Sequence, residues 1–214
     1  ATVGGIVYNV DALPESRSKA QIMGLGYSKI TGSISAEGEY DLDIGVIDVR
    51  DTTVTADDAA SLTMNYSVGG YTRDVAMKMN ELNAKFAGQP NSPAAMQEIL
   101  PLISQLTLRA ATITLTDASL TGKLLDLQSK SMGSTPAQLA EMAPMFVTMG
   151  MQQLQMPELS AQVAQAVGTF LKDQGSLTIS IAPTQPIPFS QLVVSAQMNP
   201  RSIPDLLNLS VVGQ

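Results

Sequence analysis

Residues 141–158, "EMAPMFVTMGMQQLQMPE", set five methionines between two glutamates with no other charge. Thioethers are soft ligands that suit Cu(I). Methionine is also a flexible apolar filler, used at adaptable binding surfaces. Read as one helix over 144–156, at 100° per residue, the stretch places Met145, Met149 and Met156 on one stripe with Met151 opposite. Phe146, Val147 and Leu154 occupy much of the remaining circumference. A helix apolar nearly all round is normally buried. Three readings therefore stand: a core helix, an apolar surface for a ligand or partner, and a Cu(I) site. Copper-handling centres often add His or Cys, and this chain has neither.

The same absences exclude much else. Without His there is no Ser-His-Asp or Cys-His constellation, no His metal site, and no side chain that titrates near neutrality unaided. Without Cys there is no disulfide framework. Carboxylates remain. "DLDIGVIDVRD" gathers Asp41, Asp43, Asp48 and Asp51, with Asp57 and Asp58 nearby. Asp41-x-Asp43-x-Gly45 matches only the start of a Ca²⁺ loop, and on a strand Asp41 and Asp43 share a wet face. Paired carboxylates could serve a glycosidase, but such clefts are lined with aromatics, and there are only five Tyr, four Phe and no Trp. "MGLGYSK" lacks the spacing of a phosphate-binding loop. The expectation is a protein that is not an enzyme and takes no metal or cofactor.

The chain has 214 residues, a net charge of −7 and 44% apolar residues, so its core is aliphatic. Its 12 basic residues are spread singly, which sets nucleic acid aside. No run approaches the ~18 apolar residues that span a bilayer. The opening "ATVGGIVYNV" has no Met and no basic-then-apolar segment. It is what a mature or trimmed secreted protein shows when its leader or anchor has been removed. Charge is uneven. Beyond residue 130 only Glu141, Glu158, Lys172, Asp173, Arg201 and Asp205 carry it. That half either packs on the rest and exposes neutral polar groups, or faces something apolar.

Strand patterns fill residues 1–80. A turn at Glu37-Gly38-Glu39 sets Ile34 opposite Leu42 and Ile30 opposite Val46. Past Val46 the apolar positions slip by one to Ile47 and Val49, which reads as a β-bulge beside Gly45 and a curved sheet. A two-residue turn at Gly69-Gly70 pairs Val68 with Tyr71, Tyr66 with Arg73, Met64 with Val75 and Leu62 with Met77. A helical block covers 81–173, broken at "GQPNSP", where Ser92 caps and Pro93 opens a helix. It is interrupted by a strand over 107–117 that sets Ala111, Ile113 and Leu115 on one side. "LTGKLLDLQSK" is a short helix. Thr135-Pro136 opens a long helical region, punctuated at Pro144 and Pro157. Strands return at 175–182 and 207–212, around a helix near 188–197. The architecture is α+β: one domain over 1–214, a curved, mainly antiparallel sheet with a helical block covering one face.

The C-terminal stretch "FLKDQGSLTISIAPTQPIPFSQL…MNPRSIPDLLNLSVV" resembles uncharacterised envelope proteins of proteobacteria. The resemblance implies a periplasmic or otherwise envelope location and no catalytic residue. A curved sheet closed by Met-rich helices is a natural place for an apolar cavity. The expected function is binding of a lipid-like or other apolar ligand between sheet and helices. The candidate contacts are Met145, Met149, Met156, Phe146 and Leu154 from the helices, with Met64 and Met77 from the sheet. The alternative is a ligand-free envelope scaffold that binds another protein.

Overall fold

The computed structural model describes residues 1–41, 43–89 and 92–214. Eight strands form one open sheet: β1 (Thr2–Asn9), β2 (Lys29–Asp41), β3 (Val46–Ala56), β4 (Ala60–Gly69), β5 (Thr107–Asp117), β6 (Ser176–Ile181), β7 (Ile187–Pro188) and β8 (Leu209–Gly213). The order across the sheet is β1-β2-β3-β4-β5-β6-β8, with β7 paired to β5, and every pairing is antiparallel. The helices are α1 (Arg17–Gly24), α2 (Arg73–Lys85), α3 (Pro93–Ile103), α4 (Leu120–Met132), α5 (Pro136–Met151), α6 (Pro157–Asp173), α7 (Phe189–Met198) and α8 (Ile203–Leu207). The α+β class and the returning C-terminal strands match the pattern read from the sequence. No helix among the described residues is long and apolar enough to cross a membrane.

The first hairpin turns later than the sequence suggested. Gly38 lies inside β2, opposite Val49, and Asp41 pairs with Val46. Ile34 therefore faces Val54, and Ile30 faces Tyr8. Leu42, its expected partner, lies outside the described residues. The turn is made by the aspartates that suggested a calcium loop. Asp41 Oδ1 accepts the N–H groups of Asp43 (2.9 Å) and Ile44 (3.2 Å), an Asx turn. Gly45 completes it at φ +67°. Gly45 is thus a turn residue and not the site of a bulge. The bulge falls five residues on, at Arg50–Asp51, where Asp51 takes φ +50° and its N–H donates to Asn65 Oδ1 (2.6 Å).

The second expected hairpin does not form, because Gly70 leads into a helix. Thr72 Oγ1 caps α2 through the Val75 N–H, Asp74 sits in the first turn, and β4 pairs with β3 and β5. Val75, Met79, Leu82 and Phe86 make the inward stripe of α2 and its C-cap, while Met77 is exposed. Tyr66 consequently lies between Val49 and Ala111, not beside Arg73. The break before α3 is as read: Ser92 Oγ accepts the Ala95 N–H and Pro93 opens the helix. Pro90 and Asn91 of "GQPNSP" lie outside the described residues.

In the helical block, α4 packs on α5, α5 on α6, and α6 on β8. A capping box of Thr135 and Gln138 starts α5. Pro144 does not end that helix. It lies within α5 against Gly168 of α6, where an added Cβ would stand 2.8 Å from the proline Cγ. The helix stops at Met151, and Gln155 takes φ +53° before Pro157 opens α6. Residues 144–156 are therefore not a single helix but the second half of α5 and an elbow that leads into α6.

The loop before α1 is fastened by one buried cation. Lys19 Nζ donates to Asp11 O (3.0 Å), Leu13 O (3.0 Å) and Glu15 Oε1 (2.8 Å). Lys19→Met keeps the stem and leaves two carbonyls without their charged donor. It is expected to cost about 2 kcal/mol, read as a lower denaturation midpoint. Loss of amide protection confined to residues 11–19 would accompany it.

Candidate functional site

The register sorts the sheet into two unlike faces, because directly opposed residues share a side. One row runs Val3–Ile34–Val54–Leu62–Leu115–Leu177–Gly213. The next runs Thr52–Met64–Ile113–Ile179–Val211, and the third Val49–Tyr66–Ala111–Ile181–Leu209. The opposite face is hydroxylated, with Thr2–Ser35–Thr53–Thr63–Thr114–Thr178 in one row and Ser33–Thr55–Ser61–Thr116–Ser176 in another. Thr53 and Thr63 hydroxyls bond at 2.9 Å, and Thr114 and Thr178 at 3.1 Å.

Bulges keep the apolar face continuous. Val3 and Ile6 differ in parity, as do Val49 and Val54, and Leu108 and Ala111. The bulges at Gly4–Gly5, Arg50–Asp51 and Arg109 each insert the one residue that returns the next apolar side chain to the same side. They fall on three alternate strands, β1, β3 and β5, and a bulge bends its strand.

Helix α6 covers only the β8 end of this face. Gly213 points its missing Cβ at the backbone of Ala166 and Phe170, so helix and strand touch main chain to main chain. Gln162 Oε1 accepts the Val211 N–H (3.3 Å), and Val211 is 8% exposed. Toward β2 the cover ends. Ile34, Val54, Leu62, Tyr66, Ile113 and Ile179 are 42, 41, 36, 44, 43 and 39% exposed. Side chains set in the middle of a sheet are normally buried, so these neighbouring exposed apolar residues form a candidate interaction surface. The whole molecule exposes 13232 Å². A compact monomer of its 22.5 kDa exposes about 9,500 Å².

The methionines do not form the stripe expected of a single helix. Met142, Met145, Phe146 and Met149 line the outer side of α5 and are exposed, while Leu139, Ala140, Ala143 and Val147 turn inward. The core-helix reading thus holds for the inner side of α5 only. Leu154 is exposed in the elbow, and Met156 precedes α6 beside Met151 in a hollow of about 280 Å³. Met64 lies in the middle row of the apolar face; Met77 stands apart on α2. No group of three or more Asp or Glu that could hold a metal occurs among the described residues. Sequence reasoning missed Leu62, Tyr66, Ile113 and Ile179 as site residues. Their signal is alternation repeated in three strands that neighbour one another in the sheet.

A second hollow of about 600 Å³ opens between α4, α5 and α6, with Glu141, Lys172 and Asp173 at its wall. Glu158, Arg201 and Asp205 line another of about 240 Å³ at the start of α6. The six charges of the C-terminal part therefore border hollows among the helices.

Residues 53–214 match the model of a family described as uncharacterized protein, and the chain belongs to that family. No curated protein and no solved structure matches it.

Proposed function

We propose that this member of an uncharacterised family is a non-enzymatic binder of a lipid-like or other apolar ligand, held on the open apolar rows of the sheet beside α6. One observation carries the reading: three mainly apolar rows lie side by side on one face, and α6 covers only their β8 end. Each methylene removed from water contributes about 0.8 kcal/mol. An acyl chain laid along Leu62, Met64, Tyr66, Ile113 and Ile179 therefore needs few polar contacts to offset the cost of association. The exposed stripe of Met145, Phe146 and Met149 offers a second adaptable apolar contact. A periplasmic or envelope location belongs to the same reading and rests on the C-terminal resemblance.

Native mass spectrometry of the purified protein tests the ligand. The expected spectrum carries added mass that organic extraction removes, and the stripped protein takes up a fluorescent fatty acid. A bare-chain mass together with no uptake would refute the reading.

A further inference from the structure

The two edges of the sheet are treated differently. At the β8 edge, Gln162 occupies the outward N–H of Val211 and α6 lies against Gly213. At the other edge, among the described residues, β1 pairs only with β2, and all eight of its residues are exposed. Soluble proteins guard such an edge with Lys, Pro, bulges, inward charges or a covering element. "TVGGIVYN" has neither charge nor proline. Only the bulge at Gly4–Gly5 interrupts it, which leaves residues 6–9 as a regular free edge.

The direction of the free groups follows from the register. Val10 N–H donates to Ser28 O (2.9 Å). Antiparallel alternation then turns Tyr8 and Ile6 toward β2, and the N–H and C=O of Val7 and Asn9 outward. Ile6 and Tyr8 face Gly32 and Ile30, so their side chains belong to the apolar face, while Val7 belongs to the hydroxylated one.

We infer that β1 is a self-pairing interface, and that its occupant is the β1 strand of a second copy of this chain. A twofold axis normal to the sheet and through Val7 sets Val7 opposite Val7 of the copy, in a pair that exchanges both backbone hydrogen bonds. Ile6 then falls opposite Tyr8 of the copy on the apolar face. An aromatic beside a β-branched side chain is a favourable cross-strand pair. Gly5 falls opposite Asn9, so no bulky side chain collides. Charge points to the same occupant. The chain carries −7, and β1 is a stretch where two copies meet with no like charges opposed. This axis also carries both apolar faces to the same side, so the dimer presents one apolar surface twice as wide. The inference uses only the edge and does not depend on a ligand.

Sedimentation equilibrium over a wide concentration range tests it. The expected result is a reversible monomer–dimer equilibrium. Val7 is 56% exposed and its N–H is free of β2, so Val7→Lys leaves the monomer intact. It sets two ammonium groups face to face on the axis and weakens the dimer roughly tenfold or more. Val212→Lys, on β8 at 44% exposure, leaves dimerisation unchanged. The chain has no cysteine, so mild oxidation of Val7→Cys yields a single cross-linked species of doubled mass. A monomer at every concentration would overturn the inference, as would a dimer that Val7→Lys leaves whole or that Val212→Lys dissolves.

Discussion

Ile113→Glu is expected to abolish uptake of an apolar probe while leaving the fold unchanged. Ile113 sits in the middle row between Met64 and Ile179, already 43% exposed. Substitutions at exposed positions move stability by about 0.5 kcal/mol or less. A carboxylate held against an acyl chain must instead be stripped of water without a partner. That costs several kcal/mol, or a loss of affinity of about a hundredfold or more. Thr114→Glu provides the contrast, since Thr114 points to the hydroxylated face through its bond to Thr178. It should bind the probe as the parent does. Fluorescence titration with a labelled fatty acid reads both variants, and circular dichroism confirms that each remains folded. Equal binding by Ile113→Glu and the parent would place the ligand elsewhere.

The second large effect is expected at Gly213, where packing decides. Gly213 faces the backbone of Ala166 and Phe170, with no room for a Cβ. A side chain there cannot be accommodated by a rotamer change, because its neighbours are main chain. Gly213→Val must lift α6 from β8. Overpacking of this kind costs about 3 kcal/mol, and here it also releases the Gln162 bond to Val211. The expected signature is a lower denaturation midpoint together with rapid hydrogen exchange through α6, while β2 to β5 keep their protection. Val211, buried by α6 in the parent, would then join the exposed rows. The variant should therefore take up apolar probe at least as well as the parent. Uniform destabilisation of the whole sheet would show instead that α6 is integral to it.

The order of elements was legible because most segments follow a single period. β5, β6, α3, α4 and the start of α5 stand where alternation and caps put them. The misreadings arose where one segment satisfies two rules. Gly69-Gly70 followed by Tyr71, Val75 and Met77 fits a hairpin, yet Thr72, Asp74 and the spacing Val75, Met79, Leu82, Phe86 fit a capped helix. The longer pattern wins because it buries more. Gly38 looked like a turn, but the Asx geometry of Asp41 and the positive φ of Gly45 place the turn beyond it. The site was harder to read. Alternation in β4, β5 and β6 shows that one side of each strand is apolar, but not that this side lacks a cover. That depends on how far α6 reaches across the sheet, which is set by main-chain contact at Gly213 and by no side-chain pattern. The methionine stretch fits one helix because its composition hides the stop at Met151.

Photo-cross-linking with a diazirine-bearing fatty acid, followed by peptide mapping, tests the central claim most directly. The account predicts labels on the apolar side of β4, β5 and β6, around Leu62, Met64, Tyr66, Ile113 and Ile179, displaced by unlabelled fatty acid and lost in Ile113→Glu. Labels confined to the clefts between α4, α5 and α6, or no competed label at all, would contradict it.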